Sequence, residues 1–458
     1  MSTVQPHVAA STHGNDHGNG DSSGSVHEKS GAKIDNLSTA PTPVLELGGG
    51  NPASGGPVDA GLAAWLQVVA SFMLFFNSWG LVNTYGSFQT FYQSHHLRNH
   101  SSSSISWIGS LQAFLLLLVG PLSGPLFDRG YLRTLNIVGS ILIVFGMMMT
   151  SISSQYYQIF LAQGICTGLG MGTIFIQSVA ILSAYFVKRR ALATGISVCG
   201  SSLGGIIYPI VFQRLEPRIG FGWATRVVAF IALATQAVAV VLMRQRPGTC
   251  SSRSRALIDK STFTEMPMLS FSFAALFAFM GLYVPFYYIG IYSQSKVDKI
   301  PSSLSDYLVP LLNLGSIFGR LIPNFLADKT GCLNMFVVTS LSAAITAYAW
   351  PSVNSVPKLV LFCLSYGAFS GSYVSLQGPT VAMLTKDKSR LGSRMGTFCL
   401  FAAVGILIGN PVAGAIIDVE KGIFWPAQIF CATLIVVACF WLTTTRYLCA
   451  STKVFVKI

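Results

Sequence analysis

Long apolar stretches separated by short polar segments run through most of this chain. Each stretch is close to the roughly 20 residues that an α-helix needs to cross about 30 Å of hydrocarbon. The first six stretches are residues 62–86, 105–127, 134–153, 158–182, 191–213 and 222–243. A polar segment, 244–267, follows, and then come 268–292, 304–326, 333–351, 359–384, 395–417 and 424–445. The pattern predicts an all-α membrane protein with twelve transmembrane helices, grouped six and six.

The composition agrees with a lipid environment. Apolar residues make up 52% of the chain, charged residues only 10%, and the mean hydropathy is +0.58. Soluble domains carry about 25% charged residues. A chain of this composition would leave apolar surface in water, so its helices are expected to face lipid.

A short motif occurs in both halves of the chain, about 200 residues apart. Residues 120–129 align with residues 320–329, and at a similar offset Pro209 aligns with Pro411. Homologous halves in a membrane place a binding site between them, as in secondary transporters. The repeat therefore predicts two pseudo-symmetric six-helix bundles and a carrier of small solutes.

Changes in composition mark the predicted domain boundaries. These are a disordered cytoplasmic tail (1–60), an N-terminal bundle (61–243), a cytoplasmic linker (244–267), a C-terminal bundle (268–446) and a cytoplasmic tail (447–458). The first tail is rich in Ser, Gly, His, Asn and Pro, which is typical of disorder. Its histidines are irregularly spaced and lack accompanying cysteines, so we expect no metal site and no cofactor.

Basic residues predict the orientation. Lys and Arg are concentrated in the loops on the same side as the N-terminus, and such loops are cytoplasmic. We expect both termini in the cytoplasm and, without an organelle signal, location in the plasma membrane. The net charge of +13 reflects this asymmetry, so no nucleic-acid partner is expected. Asn99 begins an Asn-His-Ser sequon in the first outer loop and is a predicted glycosylation site.

Among the charged residues of the predicted helices, only Arg320 lies clearly inside the membrane, in the inner half of the eighth helix. An ionisable side chain there is costly, which favours a function, although an arginine can also extend to the membrane surface. Its guanidinium suits a carboxylate. The acidic residues lie near helix ends and the histidines lie in the tail or first outer loop. The chain therefore shows no obvious proton carrier, and coupling to protons is left open.

Polar and aromatic side chains recur at helical spacing on helices expected to line a cavity. They favour a planar or partly apolar solute as a set, although each can also bond neighbouring helices. The predicted substrate-binding residues are Arg320, Asn77, Asn83, Gln163, Tyr283, Tyr287, Tyr366, Tyr373 and Gln377.

Charged residues at the inner helix ends are candidates for gating. They can also be read as a topology signal, because Lys and Arg favour the cytoplasmic side. The predicted gating residues are Asp128, Arg129, Asp328, Lys329, Lys188, Arg189 and Arg190.

Three segments resemble those of a known family. Residues 59–65 with 75–80, residues 185–195 and residues 319–329 are similar to the first-helix, fifth-helix and eighth-helix signatures of the monocarboxylate porters, especially fungal ones. That family belongs to the major facilitator superfamily. The resemblance implies a twelve-helix carrier that works by alternating access.

The resemblance does not imply proton–lactate symport. Animal lactate carriers use a first-helix lysine and an eighth-helix aspartate, and those positions hold Asn83 and Ser316 here, so only Arg320 is retained. We expect a transporter, not an enzyme, for a small organic acid or amphiphilic metabolite, and the likeness includes exporters of secondary metabolites. Uptake of a monocarboxylate or vitamin-like nutrient and a non-transporting nutrient sensor are the alternatives. The sequence leaves the oligomeric state open.

Overall fold

The computed structural model describes residues 61–186, 189–246, 260–296, 302–385, 387 and 390–450. The predicted tail 1–60, most of the predicted linker and residues 451–458 lie outside them, so those domain boundaries stay predictions. The described part of the chain is almost entirely helical, with one isolated β-bridge, Asp418 with Ile423.

In the first half, α1 spans Leu62–Ser94, with a break at Ser78, and α2 spans Ser102–Asp128. Helix α3 spans Leu132–Ile152 and α4 spans Tyr156–Tyr185, which includes a π-helical stretch at Phe160–Thr167. Residues Arg190–Leu242 are helical on both sides of Gly220, whose φ of 77° and ψ of 163° break the helix. We number residues 190–219 as α5 and 221–242 as α6.

In the second half, α7 spans Met266–Lys296 and α8 spans Leu308–Thr330. Helices α9, α10, α11 and α12 span Cys332–Ala349, Val356–Leu384, Leu391–Ile416 and Trp425–Ala450.

Within the described ranges, 10 helical segments are long and apolar enough to cross a membrane. One of them contains both α5 and α6. Helix α8 is not among the 10, because Asn313, Arg320 and Asn324 lower its hydropathy, yet it packs along α10 and against α5. Together these segments supply the twelve predicted crossings.

The surface is apolar where lipid would lie. Ile141, Phe145, Phe325 and Phe440 are more than half exposed on the outer faces of their helices, while asparagines and glutamines such as Gln67 and Asn136 are buried inside. Large exposed apolar side chains are unfavourable in water. The distribution is that of an all-α membrane protein.

The two halves meet through pairs of helices that the internal repeat relates. Helix α2 packs on α11, and α5 packs on α8. Because the repeat equates α2 with α8 and α5 with α11, these two interfaces are counterparts of each other. The C-terminal part of α1 also packs on the C-terminal part of α7, and the repeat relates these two helices to each other. A site between the halves thus lies where α1 and α5 of the first half meet α7 and α8 of the second.

The contacts between the halves close one face of the molecule. We call the face where α1 begins and α2 ends the N-terminal face, and the other the opposite face. Toward the opposite face, the Ser103 hydroxyl donates to the Pro411 carbonyl at 2.8 Å, and Gly86 lies directly against the Phe286 carbonyl. The structure is therefore closed at the opposite face.

Candidate functional site

Three polar residues lie on one face of α8. Asn313, Ser316 and Arg320 are spaced three and four residues apart, which aligns them along the helix. All three are buried, with Arg320 only 4% exposed. This face points toward α5 and α1 of the other half.

The Arg320 guanidinium is held by neutral groups. Its Nε donates to the Ser316 hydroxyl at 3.0 Å, and its Nη1 donates to the Val198 carbonyl at 2.9 Å and to the Ser201 hydroxyl. Val198 and Ser201 belong to α5, so the arginine bridges the two halves. Among the described residues, no carboxylate lies within ion-pairing distance of Arg320. The site therefore carries an uncompensated positive charge.

Arg320 lines a small cavity between the halves. Ser316 lies beside it on α8, and Asn83 contributes from the other half. The remaining lining residues are Leu282, Tyr283, Phe286, Ser370, Gly371 and Val374. Hydroxyl, amide, guanidinium and aromatic groups thus surround one small space between the halves.

One wall of the cavity is aromatic. Tyr283 is stacked on Trp79 of the other half, with ring centroids 5.9 Å apart and an interplanar angle of 24°. Its ring is also 5.6 Å from that of Phe286 and 6.0 Å from that of Phe279. Tyr283 and Arg320 line the same cavity, so the aromatic wall and the cation adjoin.

Two asparagines form a second bridge between the halves. The Asn83 amide donates to the Asn313 side-chain oxygen at 2.9 Å. The Asn313 amide donates to the Gly205 carbonyl of α5 at 3.1 Å and to the Val309 carbonyl at 3.0 Å. Asn83 therefore lines the cavity and also joins α1 to α8.

Of the predicted substrate-binding residues, the structure brings Arg320, Asn83 and Tyr283 together at the cavity, and their role in binding stays a prediction. It places Asn77 and Gln163 inside the N-terminal half. Asn77 is bonded to Tyr208 at 2.7 Å and to Thr235 at 2.9 Å, and Gln163 accepts from Tyr92 at 2.6 Å. These two amides join helices of one bundle.

Most of the predicted tyrosines bond or pack elsewhere. The hydroxyl of Tyr366 donates to the Leu282 carbonyl at 2.9 Å, and that of Tyr373 donates to the Ala274 carbonyl at 3.1 Å. Gln377 donates to the Val374 carbonyl within its own helix at 2.7 Å. The Tyr287 ring is 4.9 Å from that of Tyr85, where α7 meets α1. None of these four borders the cavity.

The predicted gating residues that the structure describes lie at the N-terminal face. Asp128 is buried at the end of α2, and the adjacent Arg129 is exposed, as is Arg189. The Lys329 ammonium lies 4.7 Å from the centre of the Phe325 ring. Lys188 and the side chains of Arg190 and Asp328 lie outside the described residues, so gating stays a prediction for the whole set.

Asn99 is exposed at the opposite face, in the loop between α1 and α2. Ser101 of the same sequon caps α2, its hydroxyl accepting from the Ser104 amide at 3.1 Å. Glycosylation of Asn99 stays a prediction.

Sequence reasoning missed Trp79, Asn313 and Ser201 as residues of the site. The spacing of Asn313 from Arg320 could have revealed it, since two turns of helix separate them. Trp79 lies within a signature segment and was not assigned a role. Ser201 shows no distinguishing pattern, because serines are frequent along this chain.

A comparison with protein families decides the class. The family model for the Major Facilitator Superfamily matches residues 67–377. The chain belongs to this superfamily.

Similar transporters are known from fungi. Over 360 residues, which are 79% of this chain and 80% of the relative, it is 45% identical to MFS-type transporter dbaD of Emericella nidulans. It is 38% identical over 354 residues to Agnestins efflux protein AgnL12 of Paecilomyces divaricatus, covering 77% and 81% of the two chains. It is 36% identical over 377 residues to Aspyridones efflux protein apdF of Emericella nidulans, covering 82% and 76%. This major facilitator is a multi-pass membrane transporter that takes a small-molecule substrate within the membrane.

Proposed function

We propose that this transporter exports a small organic acid or an amphiphilic metabolite by alternating access, with Arg320 contacting the anionic group. The observation that carries the proposal is a buried guanidinium that lines the cavity among neutral partners. A charged residue in the middle of a membrane helix costs about 2.5–3.5 kcal/mol on insertion scales. A substrate anion would offset this cost and use the forked geometry of the guanidinium.

The similar proteins support export as the direction of transport. Two of them are named as efflux proteins, for agnestins and for aspyridones. We extend efflux of a secondary metabolite to this chain and place it in the plasma membrane, with the N-terminal face in the cytoplasm. Within the superfamily, the signature segments support the monocarboxylate porter group. The proposal includes no proton-carrying side chain, because the acidic residues and histidines that the structure describes lie at helix ends or in loops.

The test compares cells that overproduce the protein with cells lacking it, by mass spectrometry of cells and medium. Arg320→Ala should abolish export of an acidic compound, because a hydrogen bond to a charged group is worth about 1.5–3 kcal/mol, or roughly 10- to 100-fold. Arg320→Lys should keep only part, since a point charge cannot replace the fork. Arg218→Ala, at an exposed arginine near the opposite face, is the matched control.

Each alternative has its own outcome in the same experiment. A solute lost from the medium only when the protein is present would indicate uptake instead of export. Equal composition in all strains would favour a sensor without flux. Transport of an acid that is equally fast in wild type and in both Arg320 variants would remove the arginine from the site.

A further inference from the structure

The site holds an aromatic contact that spans the two halves. Trp79 follows the break in α1 at Ser78 and is buried. Its indole packs edge-on to Phe175 of its own half, with centroids 6.0 Å apart and an interplanar angle of 79°. Its other close rings, Tyr283 and Phe279, belong to the second half. The indole is thus anchored on one side and stacked across the cavity interface on the other.

The near-parallel contact between Trp79 and Tyr283 indicates the shape of a ligand that could replace it. The rings of Trp79 and Tyr283 are near-parallel, and the halves of an alternating-access carrier must part there when the opposite face opens. Parting would expose two flat π-surfaces to the cavity. A planar ring is the shape that covers such surfaces without loss of contact.

The cation lies beside this stack. Tyr283 and Arg320 border the same cavity. Phe286, two turns of chain beyond Phe279 on α7, extends the aromatic wall. A ligand that satisfies both features needs its anionic group attached directly to a planar ring or next to it.

We propose that the substrate is an aromatic acid, whose ring stacks on Tyr283 and Trp79 while its carboxylate or acidic phenol binds Arg320. This inference rests on the proposed function and adds the requirement for a ring. Trp79 is then a residue that determines specificity, and Arg320 supplies the charge recognition.

The experiment measures binding to the purified full-length protein in detergent by isothermal titration calorimetry. The probes are 2-naphthoate, decahydro-2-naphthoate and 2-naphthamide, which separate the ring from the charge. Naphthoate should bind about 2- to 10-fold more tightly than its saturated analogue, the range expected for an aromatic pair beyond buried area. The amide should bind more weakly than naphthoate, because it carries no charge.

Substitutions test whether Trp79 and Tyr283 cause the preference for naphthoate over its saturated analogue. Trp79→Leu and Tyr283→Leu should bring the two acids to equal affinity, whereas Trp79→Phe and Tyr283→Phe should keep most of the preference and guard against misfolding. Trp223→Leu, at an exposed tryptophan on α6, is the control and should change nothing. Equal affinity for both acids in wild type, or a preference that survives Trp79→Leu in folded protein, would overturn the ring requirement.

The two levels of the proposal fail differently. Two acids that bind equally well and are both lost in Arg320→Ala would leave the organic-acid carrier standing and remove only the aromatic requirement. Binding of the amide as tight as that of naphthoate, unchanged in Arg320→Ala, would contradict the anion site itself.

Discussion

Two glycines allow helix backbones to touch, and they act at different kinds of interface. A Cβ on Gly86 of α1 would lie 1.9 Å from the Phe286 carbonyl oxygen of α7, across the interface between the halves. A Cβ on Gly319 of α8 would lie 1.7 Å from the Ala368 carbonyl oxygen of α10, within one half. The first contact has to open during transport, whereas the second belongs to a bundle that moves as a unit.

We predict that Gly86→Ala impairs closure and that Gly319→Ala impairs folding. Overpacking costs about 1–3 kcal/mol, so Gly86→Ala should slow transport roughly 5- to 100-fold while the melting temperature in detergent stays near that of wild type. Gly319→Ala should lower the melting temperature. Gly124→Ala, where a Cβ would meet nothing within 4 Å, is the control. A lower melting temperature for Gly86→Ala with normal transport would contradict this division.

The candidate site could be predicted where one residue is decisive by its chemistry. Arg320 stands out because a charge in an apolar helix is rare, and the structure places it at the cavity. Spacing correctly put Tyr366 and Tyr373 on one face of α10. It could not show that this face turns toward backbone carbonyls of α7, because the rotation of a helix in its bundle is decided by packing of the whole set.

At the scale of elements, the polar helix α8 joins two helices of the other half. Asn313 links α8 to α5 through the Gly205 carbonyl and to α1 through Asn83. An interhelical hydrogen bond in a membrane is worth about 0.6 kcal/mol on average and up to about 1.7. Such bonds are weak enough to break in each cycle, so we interpret the asparagine bridge as part of the closed state.

We predict that the asparagine bridge stabilises closure of the opposite face. A cysteine introduced at Ser103, which contacts Pro411 across the interface, would report opening through its labelling by an impermeant maleimide. Asn83→Ala and Asn313→Ala should each increase the labelling rate about 2- to 10-fold. The double variant should add little, because both changes remove the same bond. Strictly additive effects would show that the two amides act independently.

The helices themselves were largely predictable, because a run of about twenty apolar residues has few alternatives. The ends were less so. The first apolar run stops near residue 86, but α1 continues to Ser94. The C-terminal part of this helix packs on α7, which supports the additional turns. Helices α5 and α6 were predicted as separate, and only the conformation of Gly220 parts them. Local pattern cannot show either effect, because both depend on the neighbouring helix.

At the scale of the whole molecule, the repeat makes α2 with α11 and α5 with α8 counterparts, yet their ends at the opposite face differ. Where α5 meets the turn before α8, Arg214 packs over the Tyr307 ring, 5.4 Å from its centre, and donates to its hydroxyl. Asp306 is half-buried in that turn, and the charged groups acting on it among the described residues are Arg214 and Glu216. Just beyond the corresponding end of α11, Asp418 pairs with Lys421 at 3.0 Å, so the two interfaces carry different charged groups.

We predict that acid favours closure of the interface between α5 and the turn before α8. Burial raises the pKa of Asp306 above its ordinary value of 3.8, against a smaller lowering by Arg214, while Glu216 raises it further. A raised pKa means that the closed form binds the proton more tightly than an open, solvated form would. Its stabilising effect is therefore full below a pH of about 4 and is lost as the pH rises through the raised pKa.

Labelling of the Ser103→Cys reporter should thus slow as the opposite face is acidified toward pH 4. Asp306→Asn, which is neutral at every pH, should remove that part of the pH dependence. Histidines 95, 96 and 100 lie on the same face, so the quantity to measure is the difference between wild type and Asp306→Asn. Because burial lowers the pKa of His96 and raises that of Asp306, the two groups shift toward each other, and only the matched pair separates them. Identical pH profiles in the two proteins would show that the turn before α8 stays buried in both conformations and that the halves part without exposing it.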